Sequence, residues 1–319
     1  MVPDAVFTSY YGRPVVKPAP WTHDIPIYLF LGGLAAGSSL LAAGATATDR
    51  PALRRTGRLG ALVGISSSMY FLVHDLGVPK RFHHMLRVAK PTSPMSVGTW
   101  VLTLYGPMAG LAGAAELLPL LPKSVRHGLV GRLLRSLATP AGLAAAATAP
   151  AVASYTAVLL SDTATPSWHE AHHQLPFVFV GSAAAAAGGL GMIGAPVGEA
   201  APARAFAAGG AVLELLMEQR MERSMGITAE PLHTGVAGRL LQASKALTIG
   251  GAVGAVTLAP RSRLAAVLSG AALLAGSACT RFGVFEAGQE SARDPKYTVV
   301  PQRKRLNDGQ PARSNGVES

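Results

Sequence analysis

The feature that most constrains this chain is its alternation of long apolar runs with short polar segments, repeated from residue 25 to residue 284. A run of about 20 apolar residues is the length that crosses the hydrocarbon layer of a membrane as a helix. Eight such runs are read at 25–46, 58–77, 96–118, 140–160, 175–195, 202–217, 238–258 and 262–284. The expectation is an all-α integral membrane protein of about eight transmembrane helices. Composition agrees: 49% of residues are hydrophobic and 14% charged, against roughly 25% charged in soluble proteins. The net charge of +11 lies in short segments between apolar runs, which fits membrane topology and lipid headgroups rather than nucleic acid. The first apolar run is long enough to span and lacks a basic n-region before it, so no cleaved signal peptide is expected.

An even number of spans puts both termini on one side, side A, with the loops 77–96, 161–174 and 218–237. Side B holds 47–57, 119–139, 196–201 and 259–261. Lys and Arg occur on both sides, and the short side-B loops favour side B as cytoplasmic. The long loop 119–139 divides the helices into two groups of four, giving an N-terminal segment 1–24, a first bundle 25–160, a second bundle 161–284 and a polar tail 285–319. Glycines at close spacing, among them Gly33 and Gly37, let helix backbones approach in lipid.

Ionisable groups in or beside spans are costly and each needs an account. They gather on side A: His23 and Asp24 before the first run, His74 and Asp75 closing the second, Tyr155 near the end of the fourth, Glu214 in the sixth and Lys245 two turns into the seventh. Asp24 can serve as a helix cap before Pro26, Asp75 can pair with Arg81, and Glu214 with Lys245 can form a buried structural ion pair. The competing reading is functional, because His, Asp and Tyr from several helices lie at one depth. On side B only Glu116 falls within a span.

Histidine and cysteine patterns bear on whether the chain holds a metal. His169-Glu170-Ala171-His172-His173 matches H-E-x-x-H, in which two histidines one helical turn apart bind zinc. Pro166 and Pro176 leave two turns or fewer and no third ligand follows, so a membrane metalloprotease is a minor alternative. The adjacent pairs His83-His84 and His172-His173 diverge on a helix. The single cysteine, Cys279, cannot hold an iron–sulfur cluster, and only His74 approaches the position of a haem ligand. No metal, haem or cluster is expected on this chain, and electrons, if they pass, come from a partner and leave on a diffusible carrier.

Four stretches carry a family likeness: HDIPIYLFLGGLAAGSSLLA at 23–42, DLGVPKRFHHMLRVAKPTSPMSVGTW at 75–100, YTAVLLSDTATPSWHEAHHQLPFVF at 155–179 and EAGQESARDPKYTVVPQR at 286–303. In these the chain resembles the NrfD/polysulfide reductase membrane-subunit family, the integral membrane anchor of molybdopterin oxidoreductase complexes. The resemblance implies two four-helix bundles in the bacterial plasma membrane, and a quinone site, menaquinone above all, in the first bundle. It also implies an iron–sulfur electron-transfer subunit and a molybdopterin catalytic subunit as partners. By that resemblance His23, Asp24 and Tyr155 meet the quinone and His74 and Asp75 belong to a proton path, to which Glu214 and Lys245 are added. The basic residues Lys80, Arg81, Arg87 and Lys90 offer a docking face to the partner. Val78 departs from the family pattern, which often has a basic residue there. The alternative function is an ion- or proton-translocating transport subunit using Glu116, Glu214 and Lys245 as a relay.

Overall fold

The structure, a computed structural model, describes residues 14–309, with side chains described to residue 304. Expectations for residues 1–13 and 310–319 fall outside the described residues. Among the described residues every regular element is helical. In order these are α1 (Asp24–Ala47), α2 (Pro51–His74), a 3-10 segment (Pro79–Leu86), α3 (Pro94–Leu117), α4 (Lys123–His127), α5 (Leu129–Ser161), α6 (Pro166–Glu170), α7 (Leu175–Gly194), α8 (Ala201–Met225), a second long 3-10 segment (Gly226–Leu232), α9 (Gly235–Thr257), α10 (Arg263–Arg293) and α11 (Lys296–Gly309).

Five stretches are long and apolar enough to cross a membrane: Asp24–Ala47, Pro94–Leu120, Leu129–Ser161, Leu175–Gly194 and Arg263–Arg293. Joining α2 to the 3-10 segment after it, across a 108° bend, makes six. The chain is therefore a multi-pass α-helical membrane protein. α8 and α9, expected as spans, are not in this group; α8 carries Glu214, Glu218, Arg220, Glu222 and Arg223, which lower its hydropathy.

Boundaries shift where charge or proline obscured them. The fourth span was expected to begin at Pro140, yet α5 starts at Leu129 and runs through Pro140 and Pro150. Proline interrupts a membrane helix less than a soluble one, because neighbouring groups satisfy the freed carbonyls. α8 continues past residue 217 to Met225, and α10 continues past residue 284 to Arg293. Both extensions are polar segments that read as loop or tail.

Neighbours follow the chain. α1, α2, α3 and α5 pack each on the next with α5 returning to α1, and α7, α8, α9 and α10 do the same. α7 lies against α1, α2 and α5 and joins the two sets. That junction is tight: a Cβ at Gly37 of α1 would come within 2.6 Å of the Ala183 carbonyl oxygen on α7, so only glycine lets these backbones meet.

The connections place the side-A groups at one end of the molecule, where Thr22 meets Asp75, Ser167 meets Thr228 and Ser291, and Lys296 meets Glu230. The opposite end is tied by Arg50 to Glu199 and Gly198, by Arg54 and Arg58 to Glu116, and by Arg263 to the last carbonyls of α7.

Candidate functional site

The segment before α1 forms a strap across the side-A end. Pro18 and Pro20 disfavour helix there, and the extended run is pinned along its length. Gln289 Nε2 donates to the Ala19 carbonyl at 3.0 Å, and the Trp21 ring stacks on Trp168 with centroids 5.6 Å apart. Trp168 in turn donates from Nε1 to the Val284 carbonyl at 2.8 Å. His23 Nε2 meets Glu286 Oε1 at 2.7 Å, and His74 Nδ1 meets Asp24 Oδ2 at 2.6 Å. Asp75 Oδ1 accepts from the Thr22 amide at 3.0 Å and the Thr22 hydroxyl at 2.7 Å.

These contacts correct two of the simpler readings. The residue at the α1 cap is His23, whose side chain makes no capping bond; Asp24 is already helical and turns to His74. Asp75 takes Thr22 rather than Arg81, because the 3-10 segment carries Arg81 out to an exposed position.

Beneath the strap Trp21, Tyr28, Asp75, Met85 and Tyr155 line a chamber of about 70 Å³. On the other side of Tyr155, between α3 and α5, lies an open groove of about 650 Å³ that includes Val97, Val101, Ser154, His169 and His172. Tyr155 belongs to the walls of both. Its ring seats against α3 at Gly98, where a Cβ would come within 2.1 Å of Tyr155 Cε2. Tyr155 is 9% exposed, and among the described residues its hydroxyl makes no hydrogen bond. The Tyr28 hydroxyl, 1% exposed, is buried without a partner. Two phenolic donors thus remain free around one chamber, an arrangement that costs stability unless a ligand or water accepts from them.

The expected site residues therefore divide. Tyr155 and Asp75 share the chamber, whereas His23 and Asp24 stand at its rim, engaged with Glu286 and His74. Trp21 and Tyr28 take the inner positions, and sequence reasoning missed both. Tyr28 reads as an ordinary interfacial aromatic, and only its orphaned hydroxyl marks it. Glu286 was hidden because its partner His23 is 263 residues away.

Lys80, Arg81, Arg87 and Lys90 are all exposed on or beside the 3-10 segment. The apolar residues of that segment, Phe82, Met85 and Leu86, line a groove of about 290 Å³ against α2 and α3. His169, Glu170 and His173 do not build the zinc pattern on one helix: α6 ends at Glu170, and the His169 ring lies near His172, at 5.8 Å. The expected Glu214–Lys245 ion pair is also corrected. Lys245 Nζ bonds Glu222 Oε1 at 2.8 Å and lies 3.6 Å from Glu218, because α8 runs on and carries both carboxyls to the level of Lys245. Glu214 instead accepts from Thr280 at 2.7 Å. Glu116 sits at the other end, 3.0 Å from Arg58 and 3.2 Å from Arg54.

Fold and site together define a multi-pass helical membrane protein with a strap-covered, largely apolar chamber at one end. Residues 15–197 match the family described as Polysulphide reductase, NrfD, and the chain belongs to that family. The match takes in the strap, the chamber and the groove, and ends just after α7. A comparison with curated proteins finds no match.

Proposed function

We propose that this chain is the membrane anchor of a molybdopterin oxidoreductase complex, exchanging electrons between a quinone pool and an iron–sulfur partner subunit at the side-A end. The observation that carries the reading is Tyr155, the shared wall of chamber and groove with an unengaged hydroxyl. The groove is within the roughly 300–1,000 Å³ of ligand sites, while the chamber alone is below it. A quinone ring fits this setting in kind: apolar valines for the ring and tail, and phenolic donors for the carbonyl oxygens.

A bound quinone, menaquinone on this reading, would take up two electrons and two protons. The residues here supply the rest. Tyr155 and Tyr28 offer O–H donors, and such donors are strongest where water is excluded. Asp75, on the chamber wall and tied to Thr22, is the carboxyl that links the chamber to the rim, with Asp24 and the exposed His74 beside it as the remainder of a proton route. His23, bound to Glu286, acts on the site through the strap. The exposed Lys80, Arg81, Arg87 and Lys90 give the iron–sulfur subunit a basic docking face, and the molybdopterin subunit lies beyond it. On this reading the eight long helices cross a bacterial plasma membrane as two four-helix bundles, and this chain has no haem, cluster or metal of its own.

The transport-subunit alternative has less support. Glu116 is held at the far end by Arg54 and Arg58, so no relay joins it to Glu214 and Lys245 across the molecule. The test of the main reading is Tyr155→Phe in the assembled complex. Quinone-dependent electron transfer should fall while electron transfer from the catalytic subunit to an artificial acceptor persists. Unchanged quinone-dependent transfer would refute the assignment.

A further inference from the structure

The strongest unexplained feature lies in the part of the chain beyond the family match. Glu214, Glu218 and Glu222 recur every fourth residue on α8, so their side chains form one column along the helix. The column is wet at the side-A end. Glu222 holds Lys245 at 2.8 Å, its other oxygen lies 3.8 Å from His233 Nε2, and both Glu222 and Lys245 are partly exposed. It is dry at its inner end, where Glu218 is 5% and Glu214 2% exposed. Glu214 Oε1 accepts from Thr280 Oγ1, which is 2.7 Å from Ser244 Oγ.

The inner end is incompletely satisfied. Glu214 Oε2, Thr248 Oγ1, and Arg281 Nε and Nη1 are buried without partners. Arg281 is 0% exposed; it donates from Nη2 to the Phe179 carbonyl at 2.8 Å and lies over the Phe179 ring at 3.6 Å. Among the described residues no Arg281–Glu214 ion pair closes within 4.0 Å. A structural pair would engage both carboxylate oxygens, because an unpaired buried charge is expensive. Glu214 instead has one oxygen held by the Thr280 hydroxyl and the other beside the Ser182 hydroxyl without closing a bond, a setting open to a carboxyl that gains and loses a proton. A metal cation would meet the positive charge of Arg281, which acts electrostatically on Glu214. Of the charged residues on the neighbouring long helices, Lys245 of α9 and Arg281 of α10 act on the column, while α7 carries none.

We propose that Glu214 is an internal proton-holding site, loaded from the side-A end through Glu222, Lys245 and Glu218, with Arg281 as its fixed counter-charge. The step is proton transfer alone. An O–H bond forms at Glu214 Oε2 as one breaks at Glu218, one helical turn away on α8. Glu218 then regains a proton from solvent by way of Lys245 and Glu222.

The test uses the full chain in liposomes with no quinone added, so its outcome is independent of the Tyr155 reading. A pH step on the side-A face is followed by infrared difference spectroscopy of the carboxylic C=O stretch. The wild type should give a buried-acid band that shifts in D₂O and is absent in Glu214→Gln. Glu218→Gln should retain the band and slow its deuterium exchange about a hundredfold, the lower range of what a positioned acid or base contributes. If Glu214→Gln does not assemble, Glu214→Asp keeps an acid and must move the band. A band that is identical in the Glu214 variant tested, an exchange rate unaffected by Glu218→Gln, or a response that follows sodium instead of pH would each overturn the proposal.

Discussion

Gly98→Ala tests the role of Tyr155 without altering Tyr155. The new Cβ would lie 2.1 Å from Tyr155 Cε2, 2.6 Å from Cδ2 and 2.9 Å from Cζ. An ordinary carbon–carbon separation is about 3.5 Å, so ring and helix must part by about 1.4 Å. Ring rotation in place does not solve this, because three ring atoms are too close at once. Overpacking of this kind costs about 1–3 kcal/mol, and misplacing a reacting group by about 1 Å costs up to about a hundredfold in rate. The variant should therefore remain folded, with a lowered unfolding midpoint in detergent, and should lose about a hundredfold in quinone-dependent electron transfer through the assembled complex. The control is electron transfer to an artificial acceptor that bypasses this chain, which should be unaffected. A rate within twofold of wild type, with the destabilisation present, would show that the position of the Tyr155 ring does not matter to the quinone and would refute the reasoning.

Trp168→Ala removes a buried ring that stacks on Trp21 and bonds the Val284 carbonyl; it should cost about 3–5 kcal/mol, read by unfolding in detergent, and expose the strap to protease. Tyr105→Phe deletes the buried 2.8 Å bond to Ser39 and should cost about 1–3 kcal/mol, since Ser39 is left unsatisfied, with no change in quinone-dependent transfer. Lys296 is raised above its ordinary 10.5 by its hydrogen bond to Glu230. Its hold on the Gly226–Leu232 segment is thus fully present below 10.5 and lost only as pH rises through the raised value; proteolysis of α11 should be insensitive to pH across the neutral range but faster in Lys296→Met.

Legibility of the fold followed the clarity of each helix boundary. α1 and α7 lie within a residue or so of their expected ranges because Pro and Gly punctuate them and their interiors carry no charge. α5 was shortened because Pro140 resembles a first-turn proline, and α8 because Glu218, Arg220, Glu222 and Arg223 resemble a loop. That second error concealed the Glu218 and Glu222 carboxyls and produced the mistaken pairing of Glu214 with Lys245. In the site, Tyr155 was legible as a lone phenol near a helix end, and the gathering of polar groups on one side followed from the even alternation of runs. Trp21, Tyr28 and Glu286 were not, since nothing local distinguishes a chamber-lining aromatic from a core one, or a tail glutamate from the partner of His23. Exact pairings at the rim depend on packing across hundreds of residues, which periodicity does not encode.

The central claim is that a quinone meets this chain at Tyr155, between chamber and groove. The most direct measurement is photolabelling of the membrane-embedded complex with a ring-substituted photoreactive quinone, followed by peptide mapping, with unlabelled quinone as competitor. The account predicts competed label on α3 and α5 around Val97, Val101 and Tyr155, and its loss in Gly98→Ala. Competed label confined to α8, α9 or α10 would contradict it.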